Sequence, residues 1–293
     1  MKKLLFGTSL LVGTVVIKLF PQTVLLNMRK KYRARYGFDG EEIPIREDIQ
    51  QTIQNVMDDL NVSERFRNTI TFFNVHDVDI YHAGYTLTKF GAIIGIPVNF
   101  EYQKVESITD QTISLQYVSI DWSTEPAKQF RESLVLSENA KKFAIAWGIL
   151  SVTSLSYPNI ISYTPDVFLG YALYYLYFRK CDFAKYSKTV FLSTICVLTI
   201  YTLLTVTDVI LARGRTKSFN KQLTALGSDY IDGGAEYYEK LTKRNKALRI
   251  LLGERGKYWF QSNGDKVTWF LNENRPISKQ LRYFNAKKHI MQV

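Results

Sequence analysis

Residues 189–212 read TVFLSTICVLTIYTLLTVTDVILA and carry no charged side chain before Asp208. A helix needs about 20 apolar residues to cross the roughly 30 Å of hydrocarbon in a bilayer, and this run supplies them. A buried hairpin of a soluble protein would also be apolar, but an uninterrupted run of this length favours a membrane span. The sequence therefore predicts that the chain is a membrane protein.

Two weaker apolar runs accompany the first. Residues 4–26 are apolar except for Lys18, and basic residues follow them without a small-residue cleavage site, which favours an uncleaved anchor over a secretory signal peptide. Residues 159–178 carry Pro165 and Asp166 near their start and end in tyrosines that suit a membrane interface. Because only a short loop separates this run from the strongly apolar one, the two predict a transmembrane helical hairpin.

Three spans divide the chain into four parts and place both soluble parts on one side of the membrane. Basic residues cluster after the first and third spans, which favours a matrix or cytoplasmic position without fixing the side. Because the basic residues lie beside apolar runs, the net charge of +11 indicates contact with lipid headgroups. The expected partner is therefore a lipid bilayer, and no nucleic acid is expected to bind. The four parts are an N-terminal anchor (1–27), the first part of a soluble domain (28–158), the hairpin (159–212), and the second part of the soluble domain with the C-terminal tail (213–293).

Hydroxyl side chains are frequent in the third span, and Thr199 and Thr202 are two of them. Helices in lipid associate through small and polar residues, so these hydroxyls are candidates for binding a partner span. Hydrogen bonds back to their own helix are the alternative, and the sequence leaves both open.

The soluble parts mix helical and strand patterns without a βαβ alternation, so the predicted fold is an α+β membrane protein. The predicted helices are an amphipathic segment over 46–62, with Ile49, Ile53, Val56, Met57 and Leu60 on one face, a segment that begins after an N-cap at Ser137, and a segment from Tyr230 to Leu252 that Gly253 ends. The predicted strands cover 68–75, 112–122, and 91–102 with a bend at Gly95 and Pro97, and a turn joins short strands within 261–270.

Glu236 and Glu239 are the residues that most resemble a metal or proton-transfer site. At a spacing of i, i+3, both carboxylates face the same side of a helix. A metal would need further ligands, and none of the three histidines lies on a second helix with matching spacing. The alternative is that both glutamates stabilise the start of their helix and pair with Lys240 and Lys243.

No other pattern indicates catalysis. His76 and His82 lie near Asp77 and Asp79, but their spacing matches no known site, and the two cysteines have neither metal-ligand nor redox spacing. The sequence contains no phosphate-binding or nucleophile-elbow motif. It therefore predicts no enzyme activity, no catalytic or metal-binding residue and no cofactor.

An alternative function from another class follows from the layout of the chain. An amphipathic helix before a membrane hairpin, followed by a helix that carries a glutamate, is the arrangement of membrane zinc metallopeptidases. Those enzymes carry two zinc-binding histidines and a catalytic glutamate on the first helix, in the pattern H-E-x-x-H. The corresponding residues 143–150 read FAIAWGIL. The alternative is therefore a catalytically dead or divergent relative with a regulatory or scaffolding role.

Three stretches resemble the transmembrane protein 177 family of mitochondrial inner-membrane proteins. They are GAIIGIPVNF (91–100), DWSTEPAKQFRESLVLSENAKKFAIA (121–146) and GGAEYYEKLTKRNKALRILLG (233–253), and the order of anchor, soluble region, hairpin and tail also agrees. The residues that carry the resemblance, as interaction or packing motifs, are Gly95, Pro97, Asp121, Trp122, Lys142, Phe143, Gly233, Gly234, Glu236, Tyr238, Glu239, Lys240, Asn245, Arg249 and Gly253.

The resemblance implies a location and a role. The chain would be a multi-pass protein of the mitochondrial inner membrane and a non-enzymatic assembly factor. It would stabilise the membrane chaperone of newly made cytochrome c oxidase subunit II and support the maturation of that subunit toward its copper site. The implied partners are therefore subunit II and its chaperone, copper-delivery factors indirectly, and the lipid bilayer.

Overall fold

A computed structural model of the chain describes residues 19–108, 121–154, 186–267 and 276–292, with single positions at 9, 12, 13, 16, 166, 168–170, 172 and 175. A small sheet and many helices are mixed within these residues, which confirms the predicted mixture of helix and strand. The elements in chain order are α1 (Leu26–Arg33), α2 (Glu47–Asp59), α3 (Glu64–Arg67), β1 (Ile70–Val75), β2 (Tyr81–Gly84), β3 (Ala92–Pro97), α4 (Glu125–Leu134), α5 (Glu138–Thr153), α6 (Tyr186–Ala225), α7 (Ser228–Leu251), α8 (Glu254–Trp259) and α9 (Ile277–Gln292).

The sheet has the strand order β1–β3–β2. β3 pairs in parallel with β1 and antiparallel with β2. All six residues of β3 are buried, which fits a central strand that is covered on both faces. The strand predicted over 91–102 is confirmed for Ala92–Pro97, and a 3-10 turn at Val98–Glu101 takes the place of its second half.

Helices cover both faces of the sheet. On one face, α2 and α5 share an apolar cluster with β3, and the predicted amphipathic helix is confirmed because Ile53 and Val56 are buried there. Leu60 lies just beyond the end of α2 and is only partly buried. On the other face, Leu26 of α1 packs with Phe73 in a second apolar cluster.

α6 is long and apolar enough to cross a membrane over Ser193–Ala225. Its 40 residues, at 1.5 Å each, are about 60 Å long, roughly twice the hydrocarbon thickness of a bilayer. Cys196, Ile200 and Leu204 are buried at a spacing of four residues, so one face of α6 packs against protein. The predicted apolar helix is therefore confirmed.

The hydroxyls in the apolar part of α6 bond within their own helix. Thr199 Oγ1 donates to the carbonyl oxygen of Ile195 at 2.9 Å, and Thr202 Oγ1 donates to that of Leu198 at 2.8 Å. The structure therefore contains the hydrogen bonds back to the same helix that were one of the two alternatives left open by the sequence.

Beyond its apolar stretch, α6 packs against α5 and α9. The Phe219 ring lies edge-on to Trp147 of α5, with 5.9 Å between the ring centroids. Asn220 Nδ2 donates a hydrogen bond to Gln280 Oε1 of α9, and both side chains are buried. α6 is thus connected by direct packing to the helices around the sheet.

α7 confirms the helix that was predicted between Tyr230 and Leu252. Gly253 follows it with a φ of +56°, a left-handed conformation that ends helices and that glycine adopts without strain. α7 packs against α4, α5 and α9. The turn predicted within 261–270 is present as a single antiparallel bridge between Phe260 and Lys266.

Several predictions concern residues that lie outside the described part of the chain. They are about half of the anchor over 4–26, most of the span over 159–178, and nearly all of the strand over 112–122. The anchor, the hairpin and the division into four parts therefore stay predictions.

Candidate functional site

α7 crosses the short break between α4 and α5, and two adjacent glycines make the close approach possible. A Cβ on Gly233 would lie 2.2 Å from the carbonyl oxygen of Asn139, and a Cβ on Gly234 would lie 2.6 Å from the Phe284 ring. Backbone and aromatic atoms therefore occupy the space that larger residues would need. Both predicted motif glycines are contact points between helices.

Two charged residues of α7 form hydrogen bonds with the ends of the two helices that α7 crosses. The Glu236 carboxylate accepts hydrogen bonds from the Ser137 backbone N–H, at 3.0 Å, and from the Ser137 hydroxyl at the N-terminus of α5. That hydroxyl also accepts the N–H of Ala140 at 3.2 Å, which confirms the predicted N-cap. One turn later, Lys240 Nζ donates to the carbonyl oxygen of Glu132 near the C-terminus of α4, at 2.8 Å. Each charge has the sign that the nearby helix dipole favours.

The pairing predicted for the two glutamates is right for one and wrong for the other. Glu239 forms an ion pair with Lys243 at 2.9 Å. Glu236 instead bonds to Ser137 at the start of α5, because α7 lies against that helix. The spacing of residues within α7 could not predict a contact with another helix. Among the described residues, no group of three or more His, Cys, Asp or Glu side chains is arranged to hold a metal ion.

Aromatic side chains join α5, α7 and α9 beside the glycines. Phe143 of α5 lies 5.6 Å from Tyr238 of α7 and 5.0 Å from Phe284 of α9, measured between ring centroids. Tyr238 and Phe284 stack at 5.7 Å. Such pairs contribute about 0.5–1.5 kcal/mol each beyond the apolar area that they bury. The predicted motif residues Phe143 and Tyr238 are therefore core residues.

The C-terminal half of the motif holds the turn that follows α8. Asn245 is fully buried, and its Nδ2 donates to the carbonyl oxygen of Gly264 at 2.8 Å. The Arg249 guanidinium donates to the carbonyl oxygen of Phe260. Together with the chain reversal at Gly253, these bonds fix the turn against the end of α7.

The remaining predicted site residues lie elsewhere in the fold. Gly95 lies in β3, where a Cβ would stand 2.4 Å from Val75 Cγ1 of the neighbouring strand, and Pro97 ends β3. Their role is therefore in the sheet, and the structure does not bring them to the α7 crossing.

A third group of predicted residues lies at α4 and on α5. Asp121 accepts hydrogen bonds from the Ser123 hydroxyl, at 2.6 Å, and from its backbone N–H, which lower the pKa of the Asp121 carboxyl. The Trp122 ring lies 4.4 Å from the Arg131 guanidinium, a cation–π contact. Lys142 is partly exposed on α5.

Sequence reasoning missed a charge pair between the buried Arg244 and the half-exposed Asp79. Arg244 Nη2 lies 2.7 Å from Asp79 Oδ1, and Arg244 is 5 % exposed whereas the Asp79 side chain is 44 % exposed. Burial acts to raise the pKa of Asp79, but the charges of Arg244 and Lys266 outweigh it and lower that pKa. The helical spacing of Tyr237, Leu241 and Arg244 was the signal that could have placed this arginine on the inward face.

A cavity of about 200 Å³ lies beside this pair, between the β1–β2 loop, α5, α6, α7 and the start of α9. His82, Trp147 and Tyr237 contribute aromatic walls, and the His82 and Trp147 rings meet edge to face at 5.7 Å. Burial, and then the positive charges of Arg215 and Arg29, lower the pKa of His82 to about 4, so its imidazole is neutral at neutral pH.

The histidine and aspartate cluster suggested by the sequence is not assembled. Asp77 forms an ion pair with Arg33, and Asp79 pairs with Arg244, while His82 lies in the cavity wall. These side chains therefore serve separate contacts.

Comparison with known proteins gives consistent matches. The family model described as Transmembrane protein 177 matches residues 5–271. A transmembrane protein 177 from Danio rerio is 28% identical over 245 residues, which cover 81% of this chain and 77% of the relative. The transmembrane protein 177 from Mus musculus is 25% identical over 293 residues, which cover 92% of this chain and 89% of the relative. That from Homo sapiens is 26% identical over 311 residues, which cover 98% of this chain and 92% of the relative. No solved structure matches the chain.

Proposed function

Because the chain belongs to the transmembrane protein 177 family, we propose that it is a non-enzymatic assembly factor of the mitochondrial inner membrane. In this role it stabilises the membrane chaperone of newly made cytochrome c oxidase subunit II and supports the maturation of that subunit. Its partners are the chaperone and subunit II, and copper-delivery factors act on the same subunit indirectly.

The observation that carries this proposal is how the motif over 233–253 uses its polar side chains. Glu236 and Lys240 complete the ends of α5 and α4, and Asn245 and Arg249 hold the turn after α8. Side chains that are committed to internal contacts are not free to act on a substrate. The motif therefore supports a scaffold for protein partners more than a reaction centre.

The proposal includes a topology with three spans. The anchor over 4–26 and the hairpin over 159–212 cross the membrane, so both soluble parts lie on one side. The one-sided burial of α6 supports a neighbouring span, because a lone helix in lipid has no buried face. Protease protection of mitoplasts, with tags in the loop over 180–188 and at Val293, tests this arrangement. Equal sensitivity of both tags would contradict it.

Depletion and rescue test the function. After depletion of the protein, pulse labelling and immunoblotting are expected to show reduced newly made subunit II and reduced chaperone. The wild-type chain and the Gly214→Ala variant should restore both, since a Cβ at Gly214 meets no atom within 4 Å. Gly233→Ala should restore them less well, because it disturbs the crossing of α7 and α5. Unchanged levels of both proteins after depletion would refute the proposed role.

A metal analysis separates this role from that of a metallopeptidase relative. The purified chain in mild detergent should contain no stoichiometric zinc. Zinc that is lost when Glu236 or Glu239 is replaced by glutamine would favour the peptidase relative instead.

A further inference from the structure

The cavity beside Arg244 lies where the spanning helix leaves the apolar part of the chain. Thr216 of α6 forms part of its wall, four residues after the end of the apolar run at Ala212. The basic residues Arg213, Arg215 and Lys217 surround this point in the sequence. Such residues mark the headgroup level of a bilayer, so the cavity lies at the depth of lipid headgroups.

The residues in the cavity wall include hydrogen-bond donors without a partner. In the described part of the chain, Trp147 Nε1 and Arg244 Nε are buried and have no acceptor, and His82 Nδ1 has no partner either. Tryptophan and arginine nitrogens only donate. Buried donors without acceptors cost free energy, so a ligand that supplies oxygen acceptors would stabilise this wall.

The charges around the cavity favour an anion. Arg244 and Lys266 are positive, and Asp79 is the one acidic residue among the described residues of the wall. The wall therefore carries a net positive charge, which attracts anions and repels cations even though its rings are aromatic. The volume of about 200 Å³ admits a compact group such as a phosphate with part of its ester.

We propose that this cavity binds a phosphate group, and that its source is the headgroup of an anionic phospholipid. Lys266 supplies a mobile positive charge at the mouth, and Trp147 supplies a fixed N–H donor in the wall. The acyl chains remain in the bilayer next to α6. The site rests on α6 crossing the membrane, which is part of the proposed topology, but it does not depend on the role in oxidase assembly.

Two variants and a matched control test the site in the full chain in mild detergent. Lys266→Gln removes the mobile charge, and Trp147→Phe removes the N–H donor while it keeps an aromatic ring against Phe219. Lys246→Gln is the control, because Lys246 is exposed on α7 and is not part of the cavity wall. Thermal melts of each variant verify that it is folded.

Binding is measured by native mass spectrometry with phosphatidylglycerol, with phosphatidylcholine, and with glycerol 3-phosphate as a soluble phosphate ester. We expect one bound phosphatidylglycerol, weaker binding of phosphatidylcholine, and a loss of roughly threefold to tenfold in affinity in Lys266→Gln and in Trp147→Phe. Lys246→Gln should bind like the wild type.

Each other outcome has a definite meaning. If glycerol 3-phosphate binds as tightly as the lipid and the same two variants weaken it, the phosphate site stands and its ligand is soluble. If no phosphate compound binds, if the folded variants bind like the wild type, or if Lys246→Gln weakens binding equally, the proposal is overturned.

Discussion

Replacement of Gly233 by alanine tests whether the close crossing of α7 and α5 stabilises the fold. The new Cβ would lie 2.2 Å from the carbonyl oxygen and 2.6 Å from the carbonyl carbon of Asn139. Because these are backbone atoms, the helices must move apart by roughly 1 Å, and such overpacking costs about 1–3 kcal/mol. The higher helix propensity of alanine offsets about 1 kcal/mol. Because the obstacle is backbone, we expect an overpacking cost at the upper end of this range. After the gain in helix propensity is subtracted, the free energy of unfolding falls by about 2 kcal/mol.

Thermal unfolding of the full chain in mild detergent, followed by circular dichroism, measures this loss. A change of 1 kcal/mol shifts the melting temperature by roughly 2–4 °C in a protein of this size, so Gly233→Ala should melt about 4–8 °C lower. Gly214→Ala on α6 is the control, because its Cβ meets no atom within 4 Å and its melting temperature should stay or rise. If Gly233→Ala melted at or above the wild-type temperature, the argument from close packing would be refuted.

Two further predictions concern the cap of α5 and the cavity wall. Ser137→Ala should lower the free energy of unfolding by about 1 kcal/mol, and Glu236→Gln should then cost less than it does in the wild type, because both residues belong to one cap. A double-mutant cycle of thermal melts measures this, and additive effects would contradict a shared cap. Acidification from pH 6.5 towards pH 4 should lower stability, because the unfolded chain binds a proton at the ordinary His82 pKa of 6.5 whereas the folded chain binds it only near 4. His82→Gln should flatten this part of the melting profile, and a profile identical to that of the wild type would show that His82 does not cause it.

Local signals in the sequence predicted local structure well. The period of the apolar residues identified α2, the hydroxyl of Ser137 identified the start of α5, and Gly253 identified the end of α7, because each signal acts within one or two helical turns. The long apolar run likewise identified α6.

The sequence did not reveal the contacts between distant segments. Glu236 bonds to Ser137, which lies 99 residues earlier, and pairing within the helix was the natural expectation because side chains four residues apart are always neighbours. The cavity wall gathers His82, Trp147 and Arg244 from three elements, and none of these residues stands in a recognisable spacing with the others. The pairing of β1 with β3 is also a contact between distant segments. β2 lies between these two strands in the chain, but it lies at the edge of the sheet.

α6 continues without a break from its apolar part into the helices that pack around the sheet. About half of its length of roughly 60 Å exceeds the hydrocarbon thickness, and this half carries Phe219 and Asn220, which contact α5 and α9. α7 follows after only Leu226 and Gly227, where a φ of +126° at Gly227 permits the change of direction. A shift of the apolar part of α6 therefore displaces the cavity wall at Thr216 and the start of α7 together, because only two residues separate α6 from α7. The proposed lipid site and the apolar part of α6 therefore belong to one continuous helix.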